Sequence, residues 1–235
     1  MKLIVPLLSL IILPAFIFTS GILNQAKPEG IPSVSQLADE NVLALTSGAN
    51  STVAVSAPVA QPTSASSFIT LANFTASLAN GQPGQVVGVY VPNVLSLKVT
   101  QQPKNNPAYV NETLGEVTQF DLAQQYGSTG LLAHNHLSGV LFSTLSIGQE
   151  VDIIYGDGSV RRYSISLVRH FQALSPLSTH SNFVDLDNPA NTQISNADLF
   201  YQIYNQGDRV VFQTCITRDG NTSWGRLFVI ATPIL

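Results

Sequence analysis

Residues 85–235 of this chain predict a mainly β domain, a barrel or a sandwich. Three observations predict it. Short apolar runs recur along the segment with turn signals between them. One of those signals, Gly156-Asp157-Gly158, separates two such runs and reads as a hairpin. Helix signals are confined to two short stretches.

The strands follow in order. Val86 to Tyr90 and Leu95 to Val99 are apolar and β-branched. Gly130 to His134 is a short run of the buried type. Glu150 to Tyr155 and Val160 to Val168 flank the hairpin turn, the second with an imperfect period of two. Arg209 to Cys215 and Gly225 to Ala231 are the last two, joined by a turn-rich connection over 217–223. Phe120 to Tyr126 reads as one short helix. A second begins at the capping-box-like Ser195-Asn196-Ala197-Asp198 and runs to about Tyr204.

The chain before residue 85 differs. Met1 and Lys2 precede an apolar run to about Leu23, long enough at ~1.5 Å per residue to cross a ~30 Å hydrocarbon core. Residues 1–23 are expected to be a signal peptide or an N-terminal membrane anchor. Either places the rest outside the cytoplasm, the basic end staying inside. No cysteine directly follows the run, so a lipoprotein anchor is not expected. Residues 24–84 are rich in Ser, Thr, Ala and Pro and read as a stalk. The more apolar part, 66–79, has the makings of a short helix.

Composition excludes several function classes. Charged residues are 10% of the chain, against ~25% in an average domain. The net charge is −4 and the bases are scattered, so nucleic acid is not an expected partner. A single cysteine excludes an internal disulfide and zinc sites of paired cysteines. Four N-x-S/T sequons, at Asn50, Asn73, Asn111 and Asn221, carry glycans only where a glycosylation system exists.

Three polar residues stand at places suited to chemistry. Cys215 ends the apolar run Val210-Val211-Phe212-Gln213-Thr214. A lone cysteine is either a buried hydrophobe or a reactive thiol, and the reactive kind needs an electropositive neighbour. His134 ends Leu131-Leu132-Ala133, where a histidine serves as an exposed loop residue or as a general acid or base. A metal pair with His136 finds no third ligand of sensible spacing. The chain is expected to turn at Asn135, leaving His134 at the rim and His136 in the loop. Arg226 falls near Cys215 if 217–223 is a connecting loop, where a guanidinium steadies a thiolate or an oxyanion.

Together these residues resemble the sortase family. Leu132-Ala133-His134, then Gly139, Phe142, Leu145, Gly148, Val151, Ile153 and Tyr163, are similar to its central part. Val211-Phe212-Gln213-Thr214-Cys215 looks like its Thr-Leu-x-Thr-Cys signature, with Val211 and Phe212 departing from the first two positions. Gly225 to Ala231 is similar to its last strand, which carries the essential arginine. Papain-like peptidases order Cys before His, and L,D-transpeptidases carry Ser-His-Gly-Cys, which this chain lacks.

The resemblance implies an eight-stranded closed β-barrel with one or two short helices. It implies a cysteine transpeptidase with Cys215 as nucleophile, His134 as acid–base and Arg226 as the oxyanion partner. Thr214 is assigned to substrate binding. The implied substrate is a Leu-Pro-x-Thr-Gly sorting signal on another exported protein, and the acceptor is a peptidoglycan or pilin amine. No metal or organic cofactor is implied. The alternative reading is an exported β-barrel display module without catalysis.

Overall fold

A computed structural model describes residues 69–178, 180–188, 190 and 192–234. The expectations for 1–23, and for the stalk up to residue 68, lie outside the described residues.

The first described element is a helix, α1 (Leu71–Leu78), within the 66–79 stretch. Thr70 caps it by accepting from the Asn73 amide. Its Phe74 packs with Val87 and Ile154 on the barrel's outer wall, so packed structure begins before residue 85.

Ten strands follow: β1 (Val86–Val91), β2 (Leu95–Gln101), β3 (Glu116–Phe120), β4 (Thr129–Leu132), β5 (Glu150–Tyr155), β6 (Val160–Ala173), β7 (Phe183–Asp185), β8 (Gln193–Ile194), β9 (Val210–Arg218) and β10 (Asn221–Pro233). Two more helices, α2 (Asp121–Gln125) and α3 (Asn196–Tyr204), match the expected short ones. A 3-10 segment over Ser138–Thr144 follows β4.

Eight strands close into a barrel in the order β1-β2-β3-β4-β9-β10-β6-β5, with β5 returning to β1. The fold is therefore the mainly β closed barrel that was expected. Pairings are antiparallel except β2–β3 and β4–β9, which are parallel. Strands β7 and β8 extend the sheet outward from the far end of β6.

Strand β9 explains how a continuous apolar run serves this fold. Side chains alternate along a strand, and apolar residues on both faces mean burial on both. Val210 and Phe212 enter the barrel core with Val89, Leu97, Ile153 and Val229. Val211 faces the other way, into a second cluster with Phe171, Phe183, Phe200, Tyr204 and Phe228. That outer cluster lies under α3, α2 and β7. Burying each such aromatic side chain contributes roughly 1.5–3 kcal/mol, so the outer layer is as much a core as the barrel interior.

The β9–β10 connection differs from expectation. Instead of a loop over 217–223, a two-residue turn, Asp219-Gly220, joins the strands with φ of 51° and 78°. Positive φ at both central residues is what a tight hairpin of this hand requires, and Asp-Gly supplies it. Cys215 thus lies within a long hairpin and not at a strand end.

Candidate active site

The register of three neighbouring strands sets the site. Cys215 on β9 is the direct antiparallel partner of Arg226 on β10. Partnered residues share a sheet face, so the thiol and the guanidinium project to the same side. On the other flank, Leu132 of β4 pairs with Gln213 of β9. The alignment continues past the end of β4, since the Ala133 amide donates to the Gln213 carbonyl at 3.2 Å. Two residues on from the Leu132–Gln213 pair, His134 stands beside Cys215. The row His134, Cys215, Arg226 therefore crosses three adjacent strands. All three share the face of Val211, Leu132 and Phe228, the outer face of the barrel.

Cys215 and His134 are half-buried and Arg226 is buried. Arg226 is held in place by its own strand. Between the pairs Asn221–Arg218 and Gly225–Ile216 the strands fall out of step, β10 spending four residues against two on β9. This bulge turns backbone carbonyls toward the guanidinium, and Arg226 Nη1 donates to Ser223 O at 3.0 Å and Gly225 O at 2.9 Å.

His134 is followed, as expected, by a turn over Asn135–Leu137, anchored by the Leu137 and Gly139 amides donating to the His134 carbonyl, each at 3.0 Å. Asn135 ties this turn to the hairpin, its Nδ2 donating to Thr217 Oγ1 at 2.8 Å and to Thr222 O at 2.9 Å. His136 is exposed, yet its ring centroid lies 5.4 Å from that of His134. Burial lowers the His134 pKa below the ordinary histidine value, and the nearby His136 adds to this. A hydrogen bond to the Val110 backbone and the Glu112 carboxylate act in the opposite direction. At neutral pH the resting imidazole is therefore mostly uncharged.

Thr214, assigned from the sequence to substrate binding, points away from this face. It is 5% exposed and its hydroxyl donates to the Ala133 carbonyl at 2.9 Å. Alternation along β9 puts it opposite Cys215. Thr214 thus clamps β9 to the chain leading into His134. Sequence reasoning missed Gln213, which is on the Cys215 face and 1% exposed. Its signal was available: one amide in a run otherwise apolar on both faces.

Beside the row lies a narrow recess lined by Ser178, Phe183, Leu199, Phe200, Tyr204, Gln213, Arg226 and Phe228. The 174–194 connection contributes Ser178 and Phe183 to this lining. Among the described residues no cluster of three or more His, Cys, Asp or Glu could hold a metal ion.

No protein-family model matches the chain, and no curated protein does. Solved structures similar to it are sortases. Sortase C-1 from Actinomyces oris is 17% identical with a TM-score of 0.41, over 69% of this chain and 81% of that one. Sortase A from Listeria monocytogenes is 14% identical with a TM-score of 0.38, over 64% of this chain and 88% of that one. A lid mutant of sortase A from Corynebacterium diphtheriae is 12% identical with a TM-score of 0.41, over 70% and 77%. These figures describe similarity only; the closed eight-stranded barrel rests on this chain's own strand pairings.

Proposed function

We propose that this chain is a sortase-like cysteine transpeptidase, standing on the outer face of the cell membrane and tethered by its N-terminal segment. The observation that carries the reading is the row His134–Cys215–Arg226 on one exposed-edge face of three adjacent strands. A lone thiol flanked by an imidazole and a guanidinium has a proton partner on one side and a positive charge on the other.

In this reading the Cys215 thiolate attacks the carbonyl carbon of the Thr–Gly bond in a Leu-Pro-x-Thr-Gly type signal. The oxyanion that forms is met by guanidinium N–H groups, which the Ser223 and Gly225 carbonyls hold in position. Collapse breaks the C–N bond, and the His134 imidazolium gives its proton to the departing glycine amine. A thioester on Cys215 remains. An acceptor amine then loses its proton to neutral His134 and attacks the thioester, releasing the thiolate. Burial lowers the His134 pKa, which disfavours the imidazolium form at rest. The acyl donors are exported proteins with a C-terminal sorting signal, and the acceptor is a peptidoglycan or pilin amine.

Mass spectrometry of the purified chain incubated with sorting-signal peptides tests this. The expected result is a thioacyl adduct on the peptide containing Cys215, absent from Cys215→Ala. Absence of any adduct across the panel, with the thiol intact, refutes the reading.

A further inference from the structure

The row His134, Cys215, Arg226 has a further neighbour on its histidine side. Strand β3 lies next to β4, and its Thr118 pairs with Leu132, two residues before His134. Partnered residues share a face, so Thr118 is on the outer face with the row. The Asn111 amide donates to the Thr118 hydroxyl at 2.7 Å, and Val110 packs in the outer cluster. The chain over 110–112 therefore lies on the outer side of β3, next in line after His134, and the Val110 backbone bonds the His134 ring.

Asn111 pins this segment. It is buried, its Nδ2 donates to Glu116 Oε2 at 2.8 Å and to Thr100 Oγ1 at 3.1 Å, and its Oδ1 accepts from the Thr113 amide at 2.7 Å. With Asn111 turned inward, Glu112 stands exposed at the surface. Its carboxylate forms no salt bridge among the described residues. It is near enough to act on His134, where its charge favours the imidazolium. A guanidinium thus stands beyond Cys215 on one flank of the row, and a carboxylate beyond His134 on the other.

The two flanks meet opposite charges in the transpeptidase reading, on which this inference rests. Negative charge grows on the carbonyl oxygen, at Arg226. Positive charge grows on the acceptor nitrogen as it attacks the thioester. The C–N bond forms, the C–S bond breaks with its electron pair leaving on Cys215, and the surplus N–H proton goes to His134. A carboxylate beside His134 stabilises that nitrogen and repels an acceptor that carries its own carboxylate next to the amine. We infer that Glu112 selects the acceptor: it favours an amine with no carboxylate beside the nitrogen, such as a lysine side chain or a peptide N-terminus, over an amine of the free amino-acid type.

The test loads the thioacyl enzyme from Leu-Pro-Ala-Thr-Gly-Gly and supplies glycinamide or glycine as acceptor. These two amines differ in a carboxamide or a carboxylate next to the nitrogen. Initial rates of amide product are taken per free amine, from the titrated pKa of each acceptor, and expressed as a glycinamide-to-glycine ratio. The ratio is compared between wild type and Glu112→Gln, so intrinsic nucleophilicity cancels. The influence of Glu112 on the His134 ring is common to both acceptors and cancels too. The exposed, isosteric substitution is expected to lower the ratio about three- to fivefold, the scale of exposed charge interactions. Glu112→Lys reverses the charge and is expected to lower it further. Salt at ~1 M, where the screening length is ~3 Å, is expected to bring the wild type toward the Glu112→Gln value.

A ratio within about 1.5-fold of wild type in both variants overturns the inference and leaves the transpeptidase reading standing, because thioacyl enzyme and amide product are still formed. A ratio that falls in Glu112→Gln but does not respond to salt overturns it as well, since the effect is then not one of charge. A thioacyl enzyme that gives its acyl group to water and to neither amine also overturns it. Failure of the wild type to form a thioacyl enzyme with any sorting-signal peptide sinks the transpeptidase reading and the inference with it.

Discussion

Gly139→Ala is expected to disable the site without touching any of its three polar side chains. A β-carbon at Gly139 would lie 2.6 Å from the His134 carbonyl oxygen, 2.9 Å from that of Ala133 and 2.3 Å from Thr214 Oγ1. Two of these atoms are backbone and the third is a hydroxyl already committed to Ala133. Relief to an ordinary contact of about 3.4 Å requires the His134 carbonyl and the added carbon to separate by roughly 0.8 Å (3.4 minus 2.6). Overpacking of this kind costs ~1–3 kcal/mol. For a domain of this size each kcal/mol lowers Tm by about 2–4 °C, giving a fall of roughly 2–12 °C. A displacement near 1 Å in a reacting group costs ~10²-fold in rate. The assay pairs kcat/KM on a sorting-signal peptide with the alkylation rate of Cys215, and with Tm. Turnover is expected to fall about a hundredfold while the thiol stays accessible. Turnover within threefold of wild type would show that His134 tolerates the shift, and would refute the placement of its carbonyl as a fixed point of the site.

Two further outcomes are expected. Arg226→Lys should lose ~10²–10³ in kcat/KM, because Arg226 holds both backbone carbonyls through Nη1 and has a separate Nη2 for substrate, whereas a lysine has one nitrogen for all three; activity within threefold would reduce Arg226 to a brace for the β10 bulge. His136→Ala should raise the His134 pKa, seen in an NMR titration of the ring, by removing a neighbouring charge, while changing turnover less than about tenfold, roughly 1.4 kcal/mol. The sign for stability follows from the same depression. Below the unfolded histidine value of about 6.5 the unfolded chain binds a proton that folded His134 refuses, so stability falls as pH drops through that window. The fall between about pH 7.5 and 5.5, followed by Tm, should be smaller in His136→Ala; an equal fall would mean the two rings do not interact.

What the sequence disclosed, and what it hid, follow from how each strand meets its neighbours. Strands with apolar alternation or two-sided burial were legible: β1, β2, β5 and β9 stand close to where their patterns put them. β3 was not, because its middle, Val117-Thr118-Gln119, is half polar. Thr118 is buried as an acceptor for the Asn111 amide, and such a residue reads as loop until its partner is known. β6 runs past Val168 to Ala173 because β10 continues to pair with it and β7 joins at Phe171–Asp185, where Arg169 bonds Asp185. At the site, residue order revealed the cysteine, histidine and arginine. The facing of Thr214 was also readable, since alternation from Cys215 turns it inward. The role of Gln213 was not, because it depends on Tyr204, nine residues away in another element.

The three polar residues are not equally secured. Cys215 and Arg226 belong to one hairpin closed by a two-residue turn, so their register is set locally. His134 joins through the parallel β4–β9 pairing, which spans 81 residues of sequence at the Thr214–Ala133 bond. Parallel pairing of distant segments forms only when the barrel closes around it. Under the proposed mechanism, the hairpin alone would therefore give a thiol with a cation beside it and no proton donor for the leaving amine. The same asymmetry explains the concentration of restraints on the histidine side. Thr214 to Ala133, Asn135 to Thr217 and Thr222, and the close packing of Gly139 all tie the β4 extension to the hairpin. They act at the one junction that strand register does not fix by proximity in the chain. If the proposed roles hold, loosening them should cost turnover more than thiol reactivity, because Cys215 and Arg226 would stay together while His134 drifts away.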